Sequence, residues 1–222
     1  MEGENMCKET IQFIEENKIV AICRGTYGNE LINLVTALER GGVRLVEVTF
    51  DQNDEECLTK TPEAINALSQ AFEGKVSVGA GTVVTVEQVE AAYKAGAKYI
   101  ISPNTNAEVI KHTKKLGLVS IPGALTPTEI LAAHDAGADF VKVFPVGSLG
   151  LGYVKDIRGP INHVKLLATA GVTPDNLADY LNAGFSGAGI SNYLTNKKHI
   201  AAGDYDVLTE HARELVQIVS AG

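Results

Sequence analysis

Lys142 stands in the middle of the short apolar stretch Asp139-Phe-Val-Lys-Val-Phe-Pro145. Aromatic and β-branched residues closed by a proline predict a strand, here Phe140–Phe144. Side chains alternate along a strand, so Phe140, Lys142 and Phe144 share one face and Val141 and Val143 the other. In an α/β protein both faces of a parallel strand are covered. Lys142 is therefore expected as an amine in an apolar, restricted space, where desolvation disfavours the ammonium. A neutral amine near pH 7 is what a Schiff-base enzyme needs. The plainer alternative is a lysine neutralised by a buried carboxylate, or one whose tip reaches a strand end. Glu47 interrupts a second apolar stretch, Leu45-Val-Glu-Val-Thr-Phe50. If Val46 and Val48 meet covering helices, Glu47 points into the same interior as Lys142. A purely structural buried pair gains little over apolar packing. The two are read instead as nucleophile (Lys142) and general acid/base (Glu47).

The elements that must position them follow from a weak internal repeat. Helix-like segments end in a glycine joint and a short apolar strand follows, as in Arg40-Gly-Gly-Val-Arg-Leu-Val-Glu-Val-Thr49, Ala95-Gly-Ala-Lys-Tyr-Ile-Ile-Ser102 and Ala136-Gly-Ala-Asp-Phe-Val-Lys-Val-Phe144. Glycine suits such joints because it takes the left-handed conformation cheaply. The spacing is that of one βα unit. Strands are predicted near Ile19–Arg24, Leu45–Thr49, Val76–Ala80, Tyr99–Ser102, Val119–Pro122, Phe140–Phe144, Lys165–Ala168 and Ser186–Ile190. Helices alternate with them near Asn29–Arg40, Pro62–Phe72, Val86–Ala95, Ala107–Leu116, Thr128–Ala136, Tyr153–Ile157, Pro174–Ala183 and Tyr205–Ser220. A further helix, about Lys8–Asn17, precedes the first strand and is expected to cover the barrel bottom. Thr126-Pro127 and Thr173-Pro174 each place a capping hydroxyl before a first-turn proline. Eight alternating units predict one (β/α)₈ barrel, an α/β fold spanning residues 1–222 as a single domain. An open doubly wound sheet is the alternative. No Gly-x-Gly-x-x-Gly follows the first strand, which disfavours a dinucleotide fold.

Composition removes several function classes. A net charge of −8 and a pI near 5.2 do not suit a general nucleic-acid or membrane-surface binder. No apolar run approaches a membrane span. Cys7, Cys23 and Cys57 have no metal-ligand spacing and form an odd set, read as reduced thiols of a cytoplasmic protein. Met1 to Thr10 is acidic and polar, so no signal peptide is expected to begin there. His112, His134, His163, His199 and His211 are scattered, and no metal site or cofactor is expected. The acidic run Asp51–Glu56 lacks the spacing of a calcium loop and reads as a solvated connection.

In such a barrel the active site lies at the C-terminal strand ends. The polar and glycine residues expected there are Arg24, Glu47 and Thr49, Gly79-Ala-Gly-Thr82, Ser102-Pro103, Pro122-Gly123, Lys142 to Pro145, Thr169-Ala-Gly171 and Gly189-Ile-Ser-Asn192. The ends of the seventh and eighth strands are the usual phosphate position, where glycine lets backbone N–H groups approach an anion. Thr169-Ala-Gly171 with Ser191-Asn192 can form that cup, although capped turns are an equal reading. Arg24 is a guanidinium at a strand end, suited to a carboxylate or phosphate, or else a surface arginine.

Taken together and in this order, Glu47-Val-Thr49, Gly79-Ala-Gly-Thr82, Ser102-Pro103, Ile121-Pro-Gly123, Lys142-Val-Phe-Pro145 and Thr169-Ala-Gly171 resemble the 2-keto-3-deoxy-6-phosphogluconate / 4-hydroxy-2-oxoglutarate aldolases, a class I family. The resemblance runs from Ile19 to the last helix. It implies (β/α)₈ barrels assembled as homotrimers, with Lys142 as the Schiff-base lysine and Glu47 as the acid/base. Thr82, Pro103, Phe144 and Thr169 match residues lining the substrate pocket, and Arg24 matches an arginine that some members use for the substrate's anionic end. Ala170, Gly171, Ser191 and Asn192 fall at the phosphate loops. Three departures stand out. Asp51 occupies the position where many members carry a carboxylate-binding arginine. Thr-Ala-Gly replaces Thr-Gly-Gly at 169–171, and Ser191-Asn192 replaces Gly-Ser. The resemblance implies reversible cleavage of a 2-keto-4-hydroxy acid to pyruvate and an aldehyde. The expected substrate is 2-keto-3-deoxy-6-phosphogluconate, giving glyceraldehyde 3-phosphate, with 4-hydroxy-2-oxoglutarate or another 2-keto-3-deoxy sugar acid as the alternative. A non-catalytic sugar-acid-binding barrel and a phosphosugar isomerase are the readings of other classes.

Overall fold

The computed structural model describes residues 2–221. Its elements alternate as the glycine joints require. They are α1 (Glu2–Asn17), β1 (Ile19–Cys23), α2 (Gly28–Arg40), β2 (Leu45–Thr49), α3 (Cys57–Ala71), β3 (Ser77–Gly81), α4 (Val86–Lys94), β4 (Tyr99–Ile101), α5 (Ala107–Lys115), β5 (Val119–Ile121), β6 (Gly123–Ala124), α6 (Pro127–Asp135), β7 (Val141–Val143), α7 (Gly150–Arg158), β8 (Leu166–Thr169), α8 (Pro174–Asn182), β9 (Gly187–Ile190), α9 (Lys197–Ala202) and α10 (Tyr205–Ser220). The strands run in the order β5-β4-β3-β2-β1-β9-β8-β7-β6, all pairings parallel. β5 and β6 are one barrel strand interrupted at Pro122, which has no N–H to give the ladder. Its carbonyl still accepts from Lys142 N at 2.8 Å. β5 pairs with β4 and β6 with β7, so the chain through Pro122 closes an eight-stranded barrel.

Two apolar layers form. Val46, Val48, Val141 and Val143 pack outward among the helices. Val20, Leu45, Tyr99, Ile101, Val119, Ile121, Phe140 and Leu167 fill the barrel interior, joined by Cys7 and Ile14 of α1. The first helix thus plugs the N-terminal end, as expected, and it starts earlier than Lys8. The alternation places Glu47 and Lys142 inward. Both threonine–proline starts are capped: Thr126 Oγ1 accepts from Glu129 N at 3.3 Å, and Asn176 Oδ1 accepts from Thr173 N at 2.8 Å.

Most boundaries shift by a residue or so from the sequence reading, and some differ more tellingly. β7 is shorter than Phe140–Phe144, leaving Phe144 beyond the ladder. Pro62 lies inside α3 rather than at its start, because the turn from Cys57 winds first. α7 begins at Gly150, three residues ahead of Tyr153, and α9 was not foreseen.

Candidate active site

Lys142 and Glu47 face one another across the upper barrel interior. Each is nearly sealed, Lys142 8% exposed and Glu47 2%. Burial drives the Lys142 amine below its ordinary pKa; the Glu47 charge opposes this and the Arg24 charge adds to it. Burial drives Glu47 upward against the pull of Lys142 and Arg24. No ion pair within 4.0 Å joins the two. Glu47 Oε2 has no hydrogen-bond partner at all. The pair is coupled through space and left unsatisfied, which does not fit the reading of a buried salt bridge that fixes register.

The backbone around them makes the space. Gly81, the last residue of β3, lies against the carboxylate: a Cβ there would sit 2.6 Å from Glu47 Oε1. Gly189 on β9 leaves room for Thr169, whose Oγ1 would lie 3.0 Å from a Cβ. Between Glu47, Lys142, Thr169, Ile22, Ile101, Ile121 and Leu167 remains a cavity of about 10 Å³, enough for roughly one water. Phe144 lies above, 37% exposed, with its ring centroid 4.8 Å from Lys142 Nζ. A cleft of about 500 Å³ beside it is lined by Pro103, Thr105, Gly123, Leu125 and Phe144. Gly123 is needed here because a Cβ would meet Pro103 O at 2.4 Å. On the other side, a cleft of about 270 Å³ is lined by Ala170, Gly171, Ser191, Asn192, Tyr193 and His211.

The chain as a whole has matched counterparts. The family described as KDPG and KHG aldolase, named for 2-keto-3-deoxy-6-phosphogluconate and 4-hydroxy-2-oxoglutarate, matches residues 10–211. The chain belongs to this aldolase family. It is 34% identical to the 2-dehydro-3-deoxy-6-phosphogalactonate aldolase of Escherichia coli over 177 residues, 79% of this chain and 83% of that protein. It is 33% identical to the 2-dehydro-3-deoxy-phosphogluconate aldolase of Treponema pallidum over 207 residues, 93% of this chain and 95% of that one. Among solved structures, a KDPG aldolase of Legionella pneumophila with pyruvate captured as a covalent carbinolamine superposes with a TM-score of 0.82. It is 24% identical, over 92% of this chain and 97% of that one, a likeness of fold. As a member of this family the chain is an aldolase, a carbon–carbon lyase.

The aldolase brings most of the residues singled out in the sequence to one rim. Glu47, Lys142 and Thr169 line the inner cavity, Pro103 and Phe144 one cleft, and Ala170, Gly171, Ser191 and Asn192 the other. Arg24 and Thr82 line none of these three. Arg24 sits just past β1, exposed, its charge felt by both Glu47 and Lys142. Thr82 follows β3 with φ +56°. Asp51 is exposed, and its Oδ1 accepts from Asn53 N at 3.0 Å.

One contributor escaped the sequence. Lys197, opening the unforeseen α9, donates to Gly25 O at 2.6 Å and Thr26 Oγ1 at 2.7 Å, and so holds the loop that carries Arg24. Cys23, sealed behind Glu47, has its thiol pushed up to about 12 by burial and by that carboxylate, so it carries no thiolate chemistry. Among the described residues no three His, Cys, Asp or Glu side chains gather to hold a metal, and no helix is long and apolar enough to cross a membrane.

Proposed function

We propose that this aldolase cleaves a phosphorylated 2-keto-3-deoxy six-carbon acid reversibly to pyruvate and glyceraldehyde 3-phosphate, through a Schiff base on Lys142. The observation that carries this reading is the state of Lys142: buried, depressed in pKa by desolvation, and without an ion-pair partner. Its Nζ attacks the C2 ketone, and loss of water gives the protonated imine. Glu47, its pKa raised by burial, takes the C4 hydroxyl proton through a water. The inner cavity has room for that water beside the carboxylate. The C3–C4 bond breaks with its electrons drawn into the imine, and the aldehyde departs. The enamine is then protonated at C3, and hydrolysis of the imine releases pyruvate and restores the amine.

The Ala170–Gly171 and Ser191–Asn192 cleft supports a substrate with a distal anion, since backbone N–H groups at such strand ends suit phosphate. Arg24 at the rim is assigned the other anionic end of the substrate. With Asp51 in the position of the carboxylate-binding arginine, Arg24 and backbone donors carry that task. The family resemblance adds a homotrimer, to be read by sedimentation as three chains per particle.

Intact mass after pyruvate and borohydride, with peptide mapping, tests the chemistry. A reduced pyruvate adduct on Lys142 is expected; an adduct on another lysine, or none, would remove the assignment. Comparing kcat/KM on 2-keto-3-deoxy-6-phosphogluconate, its C4 epimer of the galactonate series and 4-hydroxy-2-oxoglutarate tests the substrate. Faster cleavage of the unphosphorylated acid would overturn the phosphate reading.

A further inference from the structure

The cleft at the ends of β8 and β9 offers hydrogen-bond donors to an anion but little positive charge. Its lining includes the backbone at Gly171, Val172, Ser191 and Asn192. Among the described residues, the N–H groups of these four donate to no acceptor in the protein. Open donors of this kind suit an oxygen-rich anion. No lysine or arginine lines the cleft, and His211 of α10 is the one lining side chain that can become a cation. A dianion entering a protein of net charge −8 needs such a partner.

His211 is clamped, and the clamp decides what its ring can offer. Its Nδ1 lies 3.0 Å from Tyr193 O. A carbonyl oxygen only accepts, so Nδ1 carries the hydrogen. The ring stacks on Tyr193 with centroids 4.2 Å apart and meets the His199 ring edge-on at 6.0 Å. Nε2 is then the ring nitrogen left for an occupant of the cleft. In the neutral ring it presents a lone pair, which repels phosphate oxygens; in the imidazolium it is a donor. With the tautomer set by Tyr193, a proton on Nε2 becomes the condition for holding the anion.

The ionisable groups around the ring come from each neighbouring segment. Tyr193 follows β9, and its hydroxyl is bonded to Glu214, one turn along α10. His199 lies on α9, its Nδ1 3.4 Å from Asp204 Oδ2. Asp175 lies in the first turn of α8, its charge reaching the Tyr193 hydroxyl. α2 packs against another face of α10, where Thr209 Oγ1 lies 3.0 Å from Ala37 O. None of these groups is a lysine or arginine, so within the cleft the positive charge falls to His211.

We propose that His211 is a substrate-binding residue of the aldolase: as the imidazolium it donates Nε2–H to the distal phosphate, so that phosphorylated substrate is bound together with one proton from solvent. The proposal rests on the reading of this cleft as the phosphate site.

The test is KM for 2-keto-3-deoxy-6-phosphogluconate divided by KM for the same acid without its phosphate, followed from about pH 6.5 to 9. Ionisation of Lys142 and Glu47 is common to both substrates and cancels in this ratio. A phosphate monoester is largely dianionic over this range, its second pKa being about 6, so the ratio reports the imidazole. In wild type the ratio is expected to lie well below unity at the acid end. It should climb with pH, by up to about tenfold per pH unit for one proton, and then level. His211→Gln is expected to sit on that level at every pH. At the acid end this places it about tenfold or more above wild type, the worth of one charge-assisted hydrogen bond. Should His211→Gln fail to fold, the wild-type profile alone decides. A wild-type ratio that is low but flat with pH, or that His211→Gln leaves unchanged, overturns the role of His211 and leaves the cleft as the phosphate site. A ratio near unity at every pH removes the phosphate reading and the His211 proposal with it.

Discussion

Two lysines sit beside a carboxylate at opposite ends of the barrel, and the protein treats them in opposite ways. At the N-terminal end Lys114 donates to Asp139 Oδ1 at 2.7 Å and Oδ2 at 2.6 Å, with Cys7 Sγ at 3.1 Å and Leu118 O at 3.3 Å. Asp139 also accepts from Ser120 N at 2.8 Å. Burial alone would lower the Lys114 pKa, but the bonds to Asp139 and Cys7 outweigh it and hold it above the ordinary value. Toward the C-terminal end Lys142 has no such partner, Glu47 Oε2 is orphaned, and the amine is pushed down. Where the pair is structural, every polar atom is supplied. Where the proposed chemistry lies, they are withheld, and on that proposal the cost of unpaired charge is what would keep the amine reactive.

Breaking the reactive side of this comparison has the largest expected effect. Lys142→Met should lower kcat/KM by roughly 10⁴-fold or more, as removal of a nucleophile does, and abolish pyruvate trapping. It should also raise stability by about 1 kcal/mol, since an unpaired buried ammonium gives way to apolar packing. A melt that falls would contradict that account of Lys142. Glu47→Gln follows. Turnover should drop by roughly 10²–10⁴-fold, the range of general acid/base catalysis, while pyruvate still traps on Lys142. Loss of trapping in a folded sample would assign Glu47 to imine formation instead.

The structural side should answer in reverse. Asp139→Ala leaves Lys114 in a largely buried place without its carboxylate, costing about 3 kcal/mol, the lower end for a broken buried pair. In a chain of this size that is a fall in Tm of roughly 10 °C. Activity at low temperature should stay within about twofold of wild type; a large loss of kcat would join the two ends of the barrel functionally.

Titration separates the two lysines more finely. The folded pKa of Lys142 is below 10.5, so between that value and 10.5 the unfolded chain holds more protons, and stability rises with pH. The folded pKa of Lys114 is above 10.5, so its contribution is fully present below 10.5 and is lost as pH rises through the folded value. Glu47 is raised, so its contribution is present below 4.5 and lost as pH rises through its folded pKa. Subtracting the pH–stability curve of Lys142→Met from that of wild type should therefore give a difference that climbs toward 10.5 and then levels. A flat difference would mean that the amine is not depressed.

Much of this was legible in the sequence. Glycine joints and apolar alternation fix the barrel strands to within about two residues, because both are local signals. The inward direction of Glu47 and Lys142 followed from the valines flanking each. What escaped depends on contacts between distant segments. α9 is six residues long, too short to show a periodic face. Pro62 reads as a helix start because that is its commonest place, yet α3 begins earlier. Lys114 and Asp139 lie 25 positions apart, and nothing local in either segment announces the other. The positive φ of Thr82 is equally silent, since threonine is not the residue such a conformation favours.

Ala170 offers the smallest test, at the same rim as the reactive pair. It adopts φ +66°, while its carbonyl accepts from Gly147 N at 2.8 Å and pins the loop after β7 to the loop after β8. The pinning is close: a Cβ on Gly171 would meet Gly147 Cα at 2.7 Å. Ala170→Gly relieves the left-handed strain, worth about 1–2 kcal/mol, but gives the unfolded chain more freedom, which costs roughly 0.4–1 kcal/mol. The expected net is a gain of roughly 0–1.6 kcal/mol, seen as a Tm raised by about 6 °C at most. If the cleft beside Ala170 takes the distal phosphate, the same change should leave KM for the unphosphorylated 4-hydroxy-2-oxoglutarate unmoved and shift only that for the phosphorylated acid, because the backbone it loosens lies on that side of Lys142 alone. Equal shifts for both substrates would place the two anionic ends of the substrate differently from the arrangement argued above.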